Sequence, residues 1–267
     1  MTDPIINGIA IVKDENCLVC YIEKFTDEIK HIIRSKLVKI CHGSKKIDSG
    51  PFYSYEKTLR RFLKVYDSKS DNQKKGLMGE LLTHLLFEEV FSNFKVASIF
   101  LNKEERSMKK GFDLIFVNTE DSSPWYSEVK SGSCNLASVN DKSISLLEEA
   151  KSGIHSKFIS ESDYLWISVL TDLNATIDDI SVRNELERLF QLDATNLPEK
   201  KSSDKRVIIV SVVYESLVEK IDIERIKSLK NAIEGSNLFS KIILFSIQKE
   251  TYTKIESYLL EQINNIK

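Results

Sequence analysis

Three side chains in one short stretch have the types and spacing for phosphodiester chemistry. From Lys109 to Gly132 the chain reads K-K-G-F-D-L-I-F-V-N-T-E-D-S-S-P-W-Y-S-E-V-K-S-G, with Asp113, Glu128 and Lys130 as its chemical content. Cleaving a phosphodiester needs a nucleophilic water, neutralised phosphoryl oxygens and a stabilised leaving oxygen. One or two Mg²⁺ ions (or Mn²⁺) held by carboxylates serve all three needs. Mg²⁺ takes one or two protein carboxylates and keeps its other positions for water and phosphate. Asp113 and Glu128 suit that part, the Val129 carbonyl offers a third oxygen, and Lys130 is placed to orient or deprotonate the attacking water.

Two strands must present these groups. Phe112–Val117 is apolar apart from Asp113, and a polar turn separates it from a second strand, Trp125–Lys130, after Pro124. Side chains alternate along a strand, so Glu128 and Lys130 share one face while Val129 takes the other. Asp113, at the start of the neighbouring strand, meets Glu128 across the ladder. Two carboxylates and one ammonium on a core-facing sheet are costly without a balancing cation. Glu-x-Lys also occurs at Glu28–Lys30, Glu149–Lys151 and Glu199–Lys201, but in charged segments where solvation accounts for it. The plain alternative is an edge strand whose Glu128 and Lys130 face water.

The element before these strands adds a third carboxylate. A helix over about Gln73–Phe91 carries the stripe Leu77, Leu81, Leu82, Leu85 and Leu86, and Glu80 falls within it. Gly79 beside it admits another backbone closely. His84 shares the face as an ordinary structural histidine. Glu80 then reaches the site as a further metal ligand, directly or through water.

Further elements follow in order. Strands at Ile5–Val12 and Cys17–Ile22 form a hairpin, and helices at Thr26–Ile40 and Tyr53–Asp67 follow it. A polar linker, Ser68–Gln73, separates an extension (residues 1–70) from the main domain (71–267). Downstream come a strand at Phe94–Leu101, a helix capped by Asp141 or Ser143 and running to Ile159, and an apolar run, Tyr164–Leu170, read as a buried strand. A helix at Ile177–Gln191, the strand Arg206–Tyr214, a helix in Leu217–Ile233, the strand Lys241–Ile247 and a helix at Glu250–Ile266 complete the chain. The expectation is an α/β fold: a central mixed β-sheet flanked by helices, plus the N-terminal hairpin and helix extension.

Glu80 on a helix, Asp113 after Gly111, and Glu128-Val129-Lys130 on the next strand resemble the PD-(D/E)xK nuclease superfamily, with its restriction-endonuclease-like core. Phe112 stands where the name-giving proline would be. Within that superfamily the chain is similar to the small nuclease subunit of Hachiman anti-phage systems. The narrower likeness rests on G-E-L-L-T-H-L-L-F-E at Gly79–Glu88, the G-F-D strand, the E-V-K-S-G strand end and the length. The resemblance implies a Mg²⁺-dependent DNA endonuclease held by a superfamily-2 helicase partner. It also sets Lys103, Arg106, Lys109 and Lys110 near the mouth of the site, to hold phosphates flanking the cut bond; the plain alternative is a solvated loop of both signs, since Glu104 and Glu105 intervene. Open alternatives are a nuclease-fold binding or scaffold module that does not cut, and an RNase with the same residues.

Composition sets limits on these readings. The formal charge is −2, so the chain has no global basic footprint for nucleic acid and any contact is local. No apolar run reaches membrane-spanning length and the N-terminus lacks a secretory pattern, so the expected location is the cytoplasm. Cys17 and Cys20 form a C-x-x-C on an apolar strand and, with Cys41 and Cys134, are read as reduced thiols.

Overall fold

The computed structural model describes residues 6–101, 111–160, 163–195 and 202–264. Its centre is a seven-stranded sheet in the order β1-β2-β7-β6-β5-β4-β3. These strands are β1 (Ile9–Asp14), β2 (Cys17–Ile22), β3 (Phe94–Val96), β4 (Leu114–Asn118), β5 (Pro124–Ser133), β6 (Arg206–Tyr214) and β7 (Lys241–Lys249). The four inner strands β2, β7, β6 and β5 run parallel. β1 lies antiparallel at one edge and β4 and β3 at the other. Inner strands covered on both faces need near-continuous apolar sequence, which V-I-I-V-S-V-V in β6 supplies.

Helices cover both faces. On one lie α1 (Asp27–His42), α2 (Tyr55–Asp67), α3 (Asp71–Val90) and α8 (Thr253–Asn264), packed on Leu114, Phe116, Val129, Val210 and Phe245. On the other lie α4 (Val139–Ile159), α5 (Asp163–Thr176), α6 (Ile180–Thr195) and α7 (Ile223–Gly235), packed on Ile115, Tyr126, Val207, Ile209 and Leu244. Short 3-10 turns at Ser44–Lys46 and Pro51–Tyr53 join α1 to α2. This is the expected helix-flanked mixed sheet.

Several elements differ from the sequence reading. Tyr164–Leu170 is not a strand but part of helix α5, in which Leu165, Val169 and Leu173 are buried one turn apart while Tyr164 and Ile167 are exposed. β3 ends at Val96: Ala97 N–H still donates to the Ile115 carbonyl of β4 (2.7 Å), but the backbone after it bonds elsewhere. Ile99 N–H donates to the Asp172 carboxylate (3.1 Å) and Phe100 N–H to the Ile40 carbonyl (2.8 Å). The cap of α4 is Ser138, whose hydroxyl accepts from Asp141 N–H at 3.1 Å; Asp141 and Ser143 lie inside the helix. The hairpin β1–β2 and helices α1 and α2 form as expected, but they join the main structure. β2 pairs with β7, and Leu59, Phe62 and Tyr66 share one core with Leu81 and Leu85.

Cys17 and Cys20 are buried on opposite faces of β2, so three-residue spacing on a strand prevents joint chelation. Lys249, at the end of β7, is 3% exposed, and its ammonium makes no hydrogen bond or ion pair among the described residues. Its ammonium lies 5.8 Å from the Phe25 ring centroid. Burial and the nearby Lys254 charge pull its pKa down from 10.5 to about 8. Between those values the unfolded chain binds more protons, so stability rises with pH from about 8 to 10.5, and the full penalty applies below that window. Lys249→Met is expected to raise stability at pH 7 by about 1–3 kcal/mol and to flatten that rise. Urea unfolding at pH 7 and pH 10 checks both.

Candidate active site

The site forms where β4 leaves β5. The two strands pair antiparallel as far as Leu114 opposite Ser127, with Asp113 N–H donating to the Ser127 carbonyl at 3.2 Å. The next residue of β5, Glu128, therefore stands opposite Asp113. β4 ends there, and the Asp113 side chain takes over the ladder: its Oδ2 accepts the Val129 N–H at 2.8 Å. One carboxylate oxygen is thus fixed by backbone, which leaves Oδ1 for other partners.

Glu128 is 3% exposed. It projects, with Lys130, from the face of β5 covered by α4, while Val129 projects toward α3. Lys130 Nζ donates to Glu128 Oε1 at 2.9 Å. Gly153 of α4 lies against the same oxygen: a Cβ there would sit 3.0 Å from Oε1. One turn on, Lys157 forms an ion pair with Glu128 Oε2 and donates to Asp113 Oδ1 at 3.4 Å. Two carboxylates and two ammoniums therefore meet at the end of β4. The cation that balances the acids in this structure is Lys157, which the sequence reading did not single out.

The electrostatics follow from burial and charge. Removal from water raises the Glu128 pKa, and the neighbouring Asp113 carboxylate adds to the rise, against the pull of Lys157 and Lys130. Burial alone would discharge Lys130, but the Glu128 and Asp113 charges outweigh it and hold its pKa above the ordinary lysine value. Lys157 is raised for the same reasons, Asp113 acting before Glu128. At neutral pH Lys130 is thus held as an ammonium.

The remaining expected residues fall elsewhere. Glu80 is half-buried on α3, which packs on the face of β5 opposite Glu128 and Lys130: a Cβ at Gly79 would strike Ser131. Among the described residues no three carboxylate, imidazole or thiol side chains group as a metal ligand set, so Glu80 does not complete one with Asp113 and Glu128. Glu88, from the Gly79–Glu88 motif, accepts from Lys39 and from Val96 N–H, a structural use. His84 is buried beside Phe100, with ring centroids 5.7 Å apart. Lys103, Arg106, Lys109 and Lys110 lie outside the described residues.

Ser143 is fully buried and joins Ser211 (2.9 Å) and Ser246 (3.1 Å) in a closed trio of hydroxyls. Ser211 and Ser246 occupy the same row of the sheet as Lys130. Two small side chains in that row, facing Ser143 of α4, let the helix settle close to the strands, which carries Gly153 and Lys157 onto Glu128.

The donor set can be tested against a divalent cation. Asp113 and Glu128 present oxygens to one positive group, Lys157 Nζ, and both carboxylates are largely removed from water. That is a two-carboxylate pocket already organised around a cation, within what Mg²⁺ asks of a protein. No helix among the described residues is long and apolar enough to cross a membrane. None of the curated proteins compared matches the chain. The HamA family model matches residues 7–263, nearly the whole length. The chain therefore belongs to the HamA family, a component of the Hachiman anti-phage defence system.

Proposed function

We propose that this chain is the nuclease of its defence complex, a metal-dependent endonuclease that cleaves DNA phosphodiester bonds and works with a superfamily-2 helicase partner. The observation that carries the reading is the meeting of Asp113 and Glu128 on one positive group, with Lys130 bound to Glu128 beside them. Asp113 and Glu128 would hold Mg²⁺ or Mn²⁺, with the Val129 carbonyl as a further candidate for its coordination. The bound ion supplies charge neutralisation and a water of lowered pKa. Asp113 is oriented for this by the Val129 amide. Lys130, charged at neutral pH, faces the phosphoryl oxygens as negative charge builds there. The net reaction adds one water across a P–O ester bond, leaving a phosphate monoester and a hydroxyl.

The formal charge of −2 supports a partner that delivers DNA, because phosphate neutralisation supplies most non-specific affinity. Lys103, Arg106, Lys109 and Lys110 are proposed to hold flanking phosphates. One observation favours a second reading, a non-cutting scaffold module: the two acids and two amines balance without any bound ion.

The experiment that separates the readings incubates the chain, alone and with its helicase partner, with plasmid DNA and Mg²⁺. The wild-type complex is expected to cut and Lys130→Ala to cut about a hundredfold more slowly or less. Equal, intact plasmid in both arms, with DNA bound, favours the scaffold. Cleavage of RNA but not DNA identifies the ribonuclease alternative.

A further inference from the structure

Lys157 sits where the nuclease reading needs a metal. Its Nζ pairs with Glu128 Oε2 and lies 3.4 Å from Asp113 Oδ1, so it contacts both acids at once. Its place there is built in by α4. Gly153, one turn earlier, gives the helix backbone clearance over Glu128, where any side chain would press on Oε1. The Ser138 cap fixes the start of the helix and Ser143 anchors it to β6 and β7. The Lys157 side chain remains 23% exposed, so its long flexible stem has a route to water. An ammonium and a divalent ion cannot both occupy the space between two carboxylates.

We propose that Lys157 is an internal counter-cation that occupies the metal position in the resting chain and is displaced when a divalent cation binds. The proposal rests on the metal-dependent reading above and adds a threshold to it. Lys157 keeps the buried acids paired while the site is idle. Occupancy by metal is set by competition with a tethered ammonium rather than by the carboxylates alone. The site binds weakly until metal, brought or stabilised by substrate phosphates, outcompetes the lysine.

The test titrates Mn²⁺ and Ca²⁺ calorimetrically into the purified full chain as wild type, Lys157→Met and Lys157→Arg. Met fills a similar volume without charge, whereas Arg keeps the charge. If the ammonium occupies the site about nine-tenths of the time, its removal tightens apparent metal affinity about tenfold. Lys157→Met is therefore expected to bind about tenfold or more tightly than wild type, and Lys157→Arg no more tightly than wild type. Thermal melting across the same metal series gives a second reading, with a larger upward shift for Lys157→Met than for wild type.

Should Lys157→Met need metal to fold, its recovery at metal concentrations that leave the wild-type melting temperature unmoved supports the proposal. Failure to fold at any metal concentration overturns it. Equal or weaker affinity in Lys157→Met overturns displacement while leaving the metal-dependent nuclease standing. Absence of divalent binding in both wild type and Lys157→Met removes the metal site itself, and this inference with it.

Discussion

Under the proposed nuclease function, in the complex with the proposed helicase partner, Glu128→Gln is expected to lower Mg²⁺-dependent plasmid cleavage by about a thousandfold or more. The same substitution is expected to leave the melting temperature within about 4 °C of wild type. The two halves of this prediction come from one fact, a carboxylate 3% exposed and set against a second carboxylate. The amide matches the acid in size but brings no charge, so the pocket loses half its attraction for a divalent ion. Stability responds differently, because burial and Asp113 both disfavour the charged form of Glu128. Removing that charge relieves a cost, which offsets the loss of its two ammonium partners. Lys157 keeps Asp113 at 3.4 Å, and Lys130, whose side chain is 29% exposed, can turn to water. Plasmid linearisation and thermal melting of the same preparation measure both quantities. Cleavage at the wild-type rate by Glu128→Gln would remove Glu128 from the chemistry.

The strand pair that carries the acids was readable because strand geometry leaves few choices. Alternation puts Glu128 and Lys130 on one face, and an antiparallel turn brings Asp113 opposite Glu128. The sequence did not disclose how β4 ends. Asp113 was expected within a strand running from Phe112, whereas it leaves the ladder and its carboxylate binds the Val129 amide. A backbone hydrogen bond to a side chain has no signature in hydropathy.

Lys157 carries a usable signal in the sequence. The buried stripe of α4 runs through Leu147, Ala150, Ile154 and Phe158, and Lys157 falls in its row one turn after a glycine in mid-helix. A glycine weakens a helix and a lysine resists burial, so their pairing on an apolar stripe marks a close approach to an acid. The run Tyr164–Leu170 misled for a different reason. Seven apolar or small residues suit a strand or a buried helix equally, and the deciding period appears only with Leu173 and Ile177 included. Glu80 lies at the margin of its stripe. Sequence placed it on the right helix, while the packing of α3 on the far face of β5 depends on tertiary contacts that periodicity does not carry.

That packing yields the other large expected effect. α3 holds two glycines one turn apart, and they should respond in opposite directions. A Cβ at Gly76 meets nothing within 4 Å, so Gly76→Ala is expected to stabilise the chain by up to about 1 kcal/mol through helix propensity alone. A Cβ at Gly79 would stand 2.8 Å from Ser131 Cβ and 2.9 Å from Ser131 Oγ. Ser131 cannot easily give way, because its hydroxyl donates to the Lys75 carbonyl at 2.9 Å and its backbone lies in β5. The clash of Gly79→Ala therefore outweighs its propensity gain, with a net loss of about 1–2 kcal/mol, and Gly79→Leu is expected to lose about 3 kcal/mol or more. Ser131 directly follows Lys130, so lifting α3 from β5 also disturbs the strand that aims the ammonium at Glu128. Activity should accordingly fall further in Gly79→Ala than the change in folded fraction explains. Urea unfolding of the two alanine variants, and of Gly79→Ala combined with Ser131→Gly, decides the matter. The combined variant removes the opposing Cβ and is expected to recover most of the lost stability, whereas equal destabilisation with and without Ser131→Gly would show that close approach to β5 is not why residue 79 is a glycine.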